Sequence, residues 1–392
     1  MSTNISPTEF LKVATETAQY FGFQDLETLK KDPACKECTK KVSTKNAAAA
    51  DRKLDALHGL LTRGACTYFE QKLNNIEGPV LLYSIDAVPR SGETSFSFHI
   101  LNVEKSIAET MLIQTIRTLL NEMNLPNHNI RINSLGDPDS MARYIRELTA
   151  FLRKRIDTLP PDARELMKEH AFATLRRLVE KNDELVHKTP SSLEYLSDPS
   201  RKHFREIVEF LDMSETMYEI DSKLIGHHQC YSDTLFAVDV HDKNFEKLEQ
   251  QPLYIRGGRY HSFVSRMTKD PVPAAGAVVV LRNKKAPARN PRPSKPKNPK
   301  VFVVQIGFGP KVRSLLLVNE LKHAGIPATQ DIISDSLSGQ LHKAEECGAK
   351  YAVIIGQKEF VDKTAIVRNL KNQTQEHVPL DKIVSHLKRV AR

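Results

Sequence analysis

Apolar and polar positions alternate in two distinct regimes along the chain. From residue 301 onward, short continuous apolar runs are separated by helical periodicity. Residues 301–306 are nearly all apolar, the pattern of a strand buried on both faces. Val312, Leu315, Leu316 and Leu321 then fall on one side of a helix that His323-Ala324-Gly325 ends. Residues 326–331 and 351–355 read as further strands, and 336–347 as a helix closed by Gly348. Residues 365–370 alternate, and 380–390 form a last amphipathic helix. This spacing predicts a small α/β domain with a parallel or mixed sheet. The middle of the chain is helical instead. Leu148, Phe151, Leu152 and Ile156 fall at i, i+3, i+4 and i+8, and Leu166, Ala173, Leu175 and Leu178 continue the habit. Leu159-Pro160-Pro161 and Asp198-Pro199 punctuate it. Strand-like runs flank this block at 80–85, 95–103, 129–133, 234–240, 252–255 and 274–281. Together they predict one α+β domain on an antiparallel sheet with a helical insertion at 138–210. No internal repeat is visible.

Composition narrows the class. With 392 residues, 40% apolar and 27% charged, the chain can bury real cores and should fold as two or three soluble domains. Disordered, collagen-like and coiled-coil classes are excluded. No run approaches the roughly 18–20 apolar residues of a membrane span, and the opening residues lack the pattern of a secretory signal. Five cysteines do not make a disulfide framework, so a reduced, cytoplasmic location is expected. Cys35-Lys36-Glu37-Cys38 has no second ligand pair to complete a zinc site and reads as a polar loop with two free thiols. His227, His228 and Cys230, with Asp233, Asp239, His241 and Asp242, are ligand types, but adjacent residues on a strand point to opposite faces, so no metal is expected there.

Charge is unevenly spread. The net +9 resolves into −2 over residues 1–282, +7 over 283–300 and +4 over 301–392. Residues 283–300 hold five Pro, no acid, and seven bases: Lys284, Lys285, Arg289, Arg292, Lys295, Lys297 and Lys300. Such a stretch cannot pack a core and reads as an extended linker. It serves either as a spacer held open by repulsion or as a phosphate-binding strap. Lys311 and Arg313 would extend a basic RNA-binding surface into the domain 301–392.

Several segments together resemble the histidyl-tRNA synthetases, class II aminoacyl-tRNA synthetases, over most of the chain and least in the first 75 residues. Residues 301–306 and 321–326, Gln340 with Ala344, residues 351–356, Glu359 and Val378-Pro379-Leu380 are similar to that family's anticodon-binding domain. Residues 133–138, Asn-Ser-Leu-Gly-Asp-Pro, resemble the segment that opens its helical insertion. Residues 224–237 sit where the family has its histidine-recognition loop, Gly257-Gly258-Arg259-Tyr260 matches its GGRY segment, and Pro273-Ala274-Ala275-Gly276 resembles the start of motif 3. The resemblance implies a class II synthetase-like domain at 1–282, a linker at 283–300, an anticodon-binding-like α/β domain at 301–392, and a homodimer.

The departures fall on the chemistry. Activating an amino acid with ATP needs guanidinium groups on the phosphates. The family's motif 2 Arg and Glu align with Ile85 and Ala87, its motif 3 Arg with Asn283, and the Arg and Asp of its recognition loop with Gly226 and Gln229. Tyr231 survives. Each lost charge costs roughly 10²–10³ in rate, so no catalytic residue and no cofactor is expected. Arg90, Tyr231, Gly257, Gly258, Arg259, Tyr260 and Arg282 remain as a residual pocket, the glycines and Arg259-Tyr260 on structural grounds. The main expectation is a degenerate synthetase-like protein that binds tRNA or another structured RNA. Two rivals stand beside it. An active ATP- and Mg-dependent histidine–tRNA ligase would recruit Arg90 or Arg282. A regulatory subunit would bind a protein partner.

Overall fold

The computed structural model describes residues 5–29, 59–68, 78–88, 91–168, 170–226, 230–240, 252–268, 272–282 and 299–390. They belong to two units: Met1–Leu11 with Asp25–Glu109 and Leu125–Asn290, and Lys12–Gln24 with Thr110–Asn124 and Pro291–Arg392.

The first is built on a sheet of β1 (Gln24–Asp25), β2 (Val80–Ala87), β3 (Thr94–Leu101), β4 (His128–Ser134), β5 (Tyr218–Ile220), β6 (Ser232–Val240), β7 (Leu253–Arg259) and β8 (Ala274–Leu281). Their order is β1-β2-β3-β8-β7-β6-β4-β5. From β2 to β4 every neighbouring pair is antiparallel, and β5 joins β4 in parallel. All six strand-like runs of the sequence are strands. The additions, β1 and β5, lie at the two edges, too short to show a period. Every residue of the central β8 is buried, as its unbroken apolar run requires.

Alternation assigns the side chains to two faces. The pairs Leu82↔His99, Ser84↔Ser97, His99↔Gly276, Ser97↔Val278, Val278↔Arg256 and Gly276↔Gly258 place these residues on one face, called the front. The front packs on the helical stretch 59–68, whose Leu60, Leu61, Ala65 and Tyr68 share a core with Leu82, Val278, Cys230 and Tyr260. On the back, Tyr83 stacks on Phe96 with ring centroids 5.1 Å apart.

The insertion is helical as expected, with helices Pro138–Arg153, Pro161–Leu166, Ala171–Glu180 and Asp198–Met213. Leu148 and Leu152 are buried with Phe172, Leu175 and Leu178. Ile156 is 38% exposed, because the first helix ends at Arg153 before its stripe is complete. Asp137 starts that helix by accepting the Ser140 N–H at 2.7 Å, with Pro138 in the first turn where its missing N–H costs nothing.

The second unit carries β9 (Val301–Gln305), β10 (Ala328–Gln330), β11 (Tyr351–Ile355), β12 (Thr364–Asn369) and β13 (Gln375–Pro379), ordered β10-β9-β11-β12-β13. β10, β9 and β11 run parallel and the rest antiparallel, giving a mixed sheet. Helices Phe308–His323, Leu337–Glu346 and Ile383–Val390 stand where the periodicity placed them. Sequence patterning missed β13. It is an exposed edge strand with Val378 its buried position, so no alternation betrays it.

Candidate active site

The front face is where the resemblance would place amino-acid activation. β2 pairs with β3 without interruption from Val80 to Ala87, so its side chains alternate strictly. Ser84 and Asp86 therefore join Leu82 on the front. Ile85 and Ala87 lie on the other face with Tyr83. Ile85 and Ala87, expected to stand where the family has its motif 2 charges, thus face away from the front; a slip of one residue would exchange the faces and bring Ser84 and Asp86 to those positions. At these positions the chain presents a hydroxyl and a carboxylate, and no guanidinium.

That carboxylate is occupied. Asp86 is ion-paired to Arg63 from the helical stretch 59–68, and Arg63 also lies 3.8 Å from Glu27. Beside it, Ser84 Oγ is 3.5 Å from His99 Nε2. Burial drives the His99 pKa down to about 3, with the Leu61 carbonyl opposing and the Arg63 charge assisting, so this imidazole is neutral at physiological pH. A Cβ at Gly64 would fall inside 3.0 Å of the His99 ring, so helix and sheet meet without spare room. Gly64→Ala should cost about 1–3 kcal/mol in urea unfolding, because this packing has nowhere to relax.

The recognition-loop residues are equally close-packed. A Cβ at Gly226 would enter the Tyr231 ring, again inside 3.0 Å. Tyr231 thus fills the space next to the position where the family carries an arginine. Burial raises its hydroxyl pKa well above the ordinary tyrosine value. Gly258, at φ +152°, passes so near the Thr234 carbonyl that a Cβ would meet it at 2.5 Å; Gly257 backs onto the Phe236 ring. Both glycines are explained by close approach of neighbouring strands. Tyr260 is fully buried in the front core.

Arg259 alternates to the back. It is 2% exposed and each of its three nitrogens donates: Nε and Nη2 to Glu109 at 2.8 and 2.7 Å, and Nη1 and Nη2 to the Val103 and Lys105 carbonyls. His203 Nε2 lies 2.8 Å from the same Glu109 carboxylate. Arg259 is a buried structural anchor and no part of a pocket behind Tyr231, which separates it from the other residual-pocket residues.

Sequence reasoning missed three front-side arginines. Arg63 neutralises Asp86. Arg256 lies over the Tyr254 ring at 4.6 Å, with Arg282 5.6 Å from the same ring. Arg256 was legible in principle, since it stands two residues before Gly258 on an alternating strand. Arg131 is held by Asp239 and Asp221 at 2.5 and 2.8 Å.

The residues expected to meet RNA divide as sharply. Lys311 is 3% exposed, 2.7 Å from Asp335 and 3.3 Å from the Ile333 carbonyl. It is an internal ion pair, and the expectation of an exposed RNA-binding side chain is corrected. Arg313 donates to both carboxylate oxygens of Glu320, at 2.8 and 3.3 Å. Lys300 is half-buried at the start of β9. Lys284, Lys285, Arg289, Arg292, Lys295 and Lys297 lie outside the described residues, as do Arg90, Gln229, Asn283, Cys35 and Cys38. Cys230 and Cys347 are free thiols, whereas Cys66 is disulfide-bonded, a departure from the expected reduced set. Among the described residues no group of three or more His, Cys, Asp or Glu is placed to hold a metal, and no helix is long and apolar enough to cross a membrane.

Residues 300–390 match the family model described as anticodon binding domain. The chain is 25% identical over 331 residues to a histidine–tRNA ligase of Desulfitobacterium hafniense, covering 81% of this chain and 77% of that one. It is 27% identical over 323 residues to a histidine–tRNA ligase of Halothermothrix orenii, covering 80% and 74%. Among solved structures, the apo histidyl-tRNA synthetase of S. aureus superposes with a TM-score of 0.53 at 18% identity, covering 98% of this chain and 97% of that one, which shows a common fold.

Proposed function

We propose that this chain, similar to the histidyl-tRNA synthetases of class II, binds tRNA or another structured RNA without activating histidine. The observation that carries the second half is the Tyr231 ring against Gly226, which leaves no room for a cationic side chain at that position. The front of β2 adds to it. A triphosphate and its Mg would meet Ser84 and an Asp86 carboxylate already neutralised by Arg63, with no guanidinium on that strand to take up developing charge. ATP and Mg are therefore not reactants here.

RNA binding rests on two features, the match of 300–390 to anticodon binding domains and the +7 charge of 283–300. The linker supplies counterion release and the α/β unit the shape. The protein acts in the cytoplasm as a homodimer, a state that light scattering of the purified chain would check.

Histidine-dependent exchange of pyrophosphate into ATP should stay at the no-enzyme background. Exchange above it would overturn the non-catalytic reading. Gly226→Arg should not restore activity and should destabilise the fold by about 1–3 kcal/mol, because the guanidinium has to displace the Tyr231 ring.

A further inference from the structure

A cavity of about 480 Å³ opens on the first unit, on the side of the sheet that carries Arg259, lined mainly by polar side chains with Val272 and Pro273 as apolar wall. Its donors and acceptors are unbalanced. The bases facing it are spent: Arg259 on Glu109 and two carbonyls, His203 on Glu109. His261 holds Ser232 Oγ at 3.2 Å through Nδ1, and burial lowers its pKa, so it carries no charge at neutral pH. Two of the three acids are not spent. Asp233 accepts the Ser200 hydroxyl on Oδ1 at 3.0 Å, but its Oδ2 is 3.7 Å from His261 Nε2, beyond hydrogen-bond reach. Glu104 stands exposed at the same cavity. Asp137, the third acid, is saturated by the Ser140 N–H and the Ser197 hydroxyl.

Asp233 is also held in place. It sits at the register shift of β6 with φ +50°, a conformation Asp tolerates, and its backbone N–H donates to the Gly136 carbonyl at 2.9 Å. Its free carboxylate oxygen is thus preorganised beside an apolar wall.

We propose that this cavity binds a small organic cation, an amine or amidine carried on an apolar body. The ligand has to bring the donors, because the protein's own are committed. Asp233 serves as its counter-ion, Glu104 as a second acceptor at the opening, and Val272 with Pro273 as the surface for the apolar part. The volume lies in the range of small-molecule sites. The site is independent of the RNA reading and of the front face.

Titration calorimetry on the full chain with benzamidine, benzamide and benzoate separates charge from shape, since the three differ little in size. Saturable binding of benzamidine is expected, with benzamide at least about ten-fold weaker and benzoate not bound, because a charge-assisted hydrogen bond is at stake. Asp233→Asn, which tolerates the same backbone conformation, should weaken benzamidine about ten-fold. Should that variant fail to fold, Glu104→Gln, at an exposed position, gives the same reading with a smaller loss. No saturable benzamidine binding, equal binding of all three compounds, or unchanged affinity in the folded variants would overturn the proposal.

Discussion

Replacing the seven Lys and Arg of 283–300 with Gln will weaken tRNA binding roughly 10²–10³-fold at about 0.1 M salt, provided about half of those charges meet phosphates. The slope of log K against log salt should flatten by about 0.7–0.9 for each phosphate no longer neutralised. The argument is one of charge location. The synthetase-like body is slightly acidic, the stretch 283–300 has seven bases and no acid, and the two following bases expected to meet RNA, Lys311 and Arg313, are paired within their own domain. Lys311 is locked to Asp335 and Arg313 to Glu320. Neutralising that pair should leave the salt slope nearly untouched, and so distinguishes linker from domain. Filter binding across a salt series reads both quantities. An unchanged affinity and slope in the linker variant would make residues 283–300 a spacer and move the RNA surface elsewhere.

Glu109→Gln should destabilise the first unit by about 3–5 kcal/mol, because it strips the counter-charge from a guanidinium that is almost wholly buried. Glu109 is fully buried and accepts from Arg259 and His203 together. Burial alone would raise its pKa; Arg259 and His203 more than reverse that and bring it to about 2. Its contribution is therefore present above the ordinary glutamate value and lost only as pH falls toward 2. His203 has the opposite sign. Burial lowers its pKa, but Glu109 outweighs burial and the net shift is upward. The stability it supplies is complete below the usual histidine value near 6.5 and fades as pH rises through the raised one. Denaturant unfolding of the wild type should show a loss above neutrality that Glu109→Gln lacks. An equal pH dependence in both proteins would rule out the His203–Glu109 linkage.

Much of this was legible in the chain, and the failures have a common cause. β8, β11 and the helical insertion follow from runs and periods that report burial directly. β5 and β13 were silent because they lie at edges, where few residues need be apolar. Lys311 misled because a basic residue in a helical first turn looks exposed unless its acid partner, Asp335, is known. The motif 2 assignment raises a different point. Matching letters to a motif does not fix which face a strand residue takes, and a shift of one exchanges Ile85 and Ala87 for Ser84 and Asp86.

Arg256 and Arg259 stand three apart on one strand and so belong to different constituencies. The first lies on the front of the sheet with Val278; the second is tied into the interior with Glu109. A substitution on the front does not touch the contacts that hold Arg259 to Glu109 behind it. A Gly-Gly-Arg-Tyr signature of this kind is accordingly a marker of foldability. The signature therefore reports this anchor and is not by itself a token of catalysis; what the front face can do is carried by other positions, 84, 86 and 226 among them.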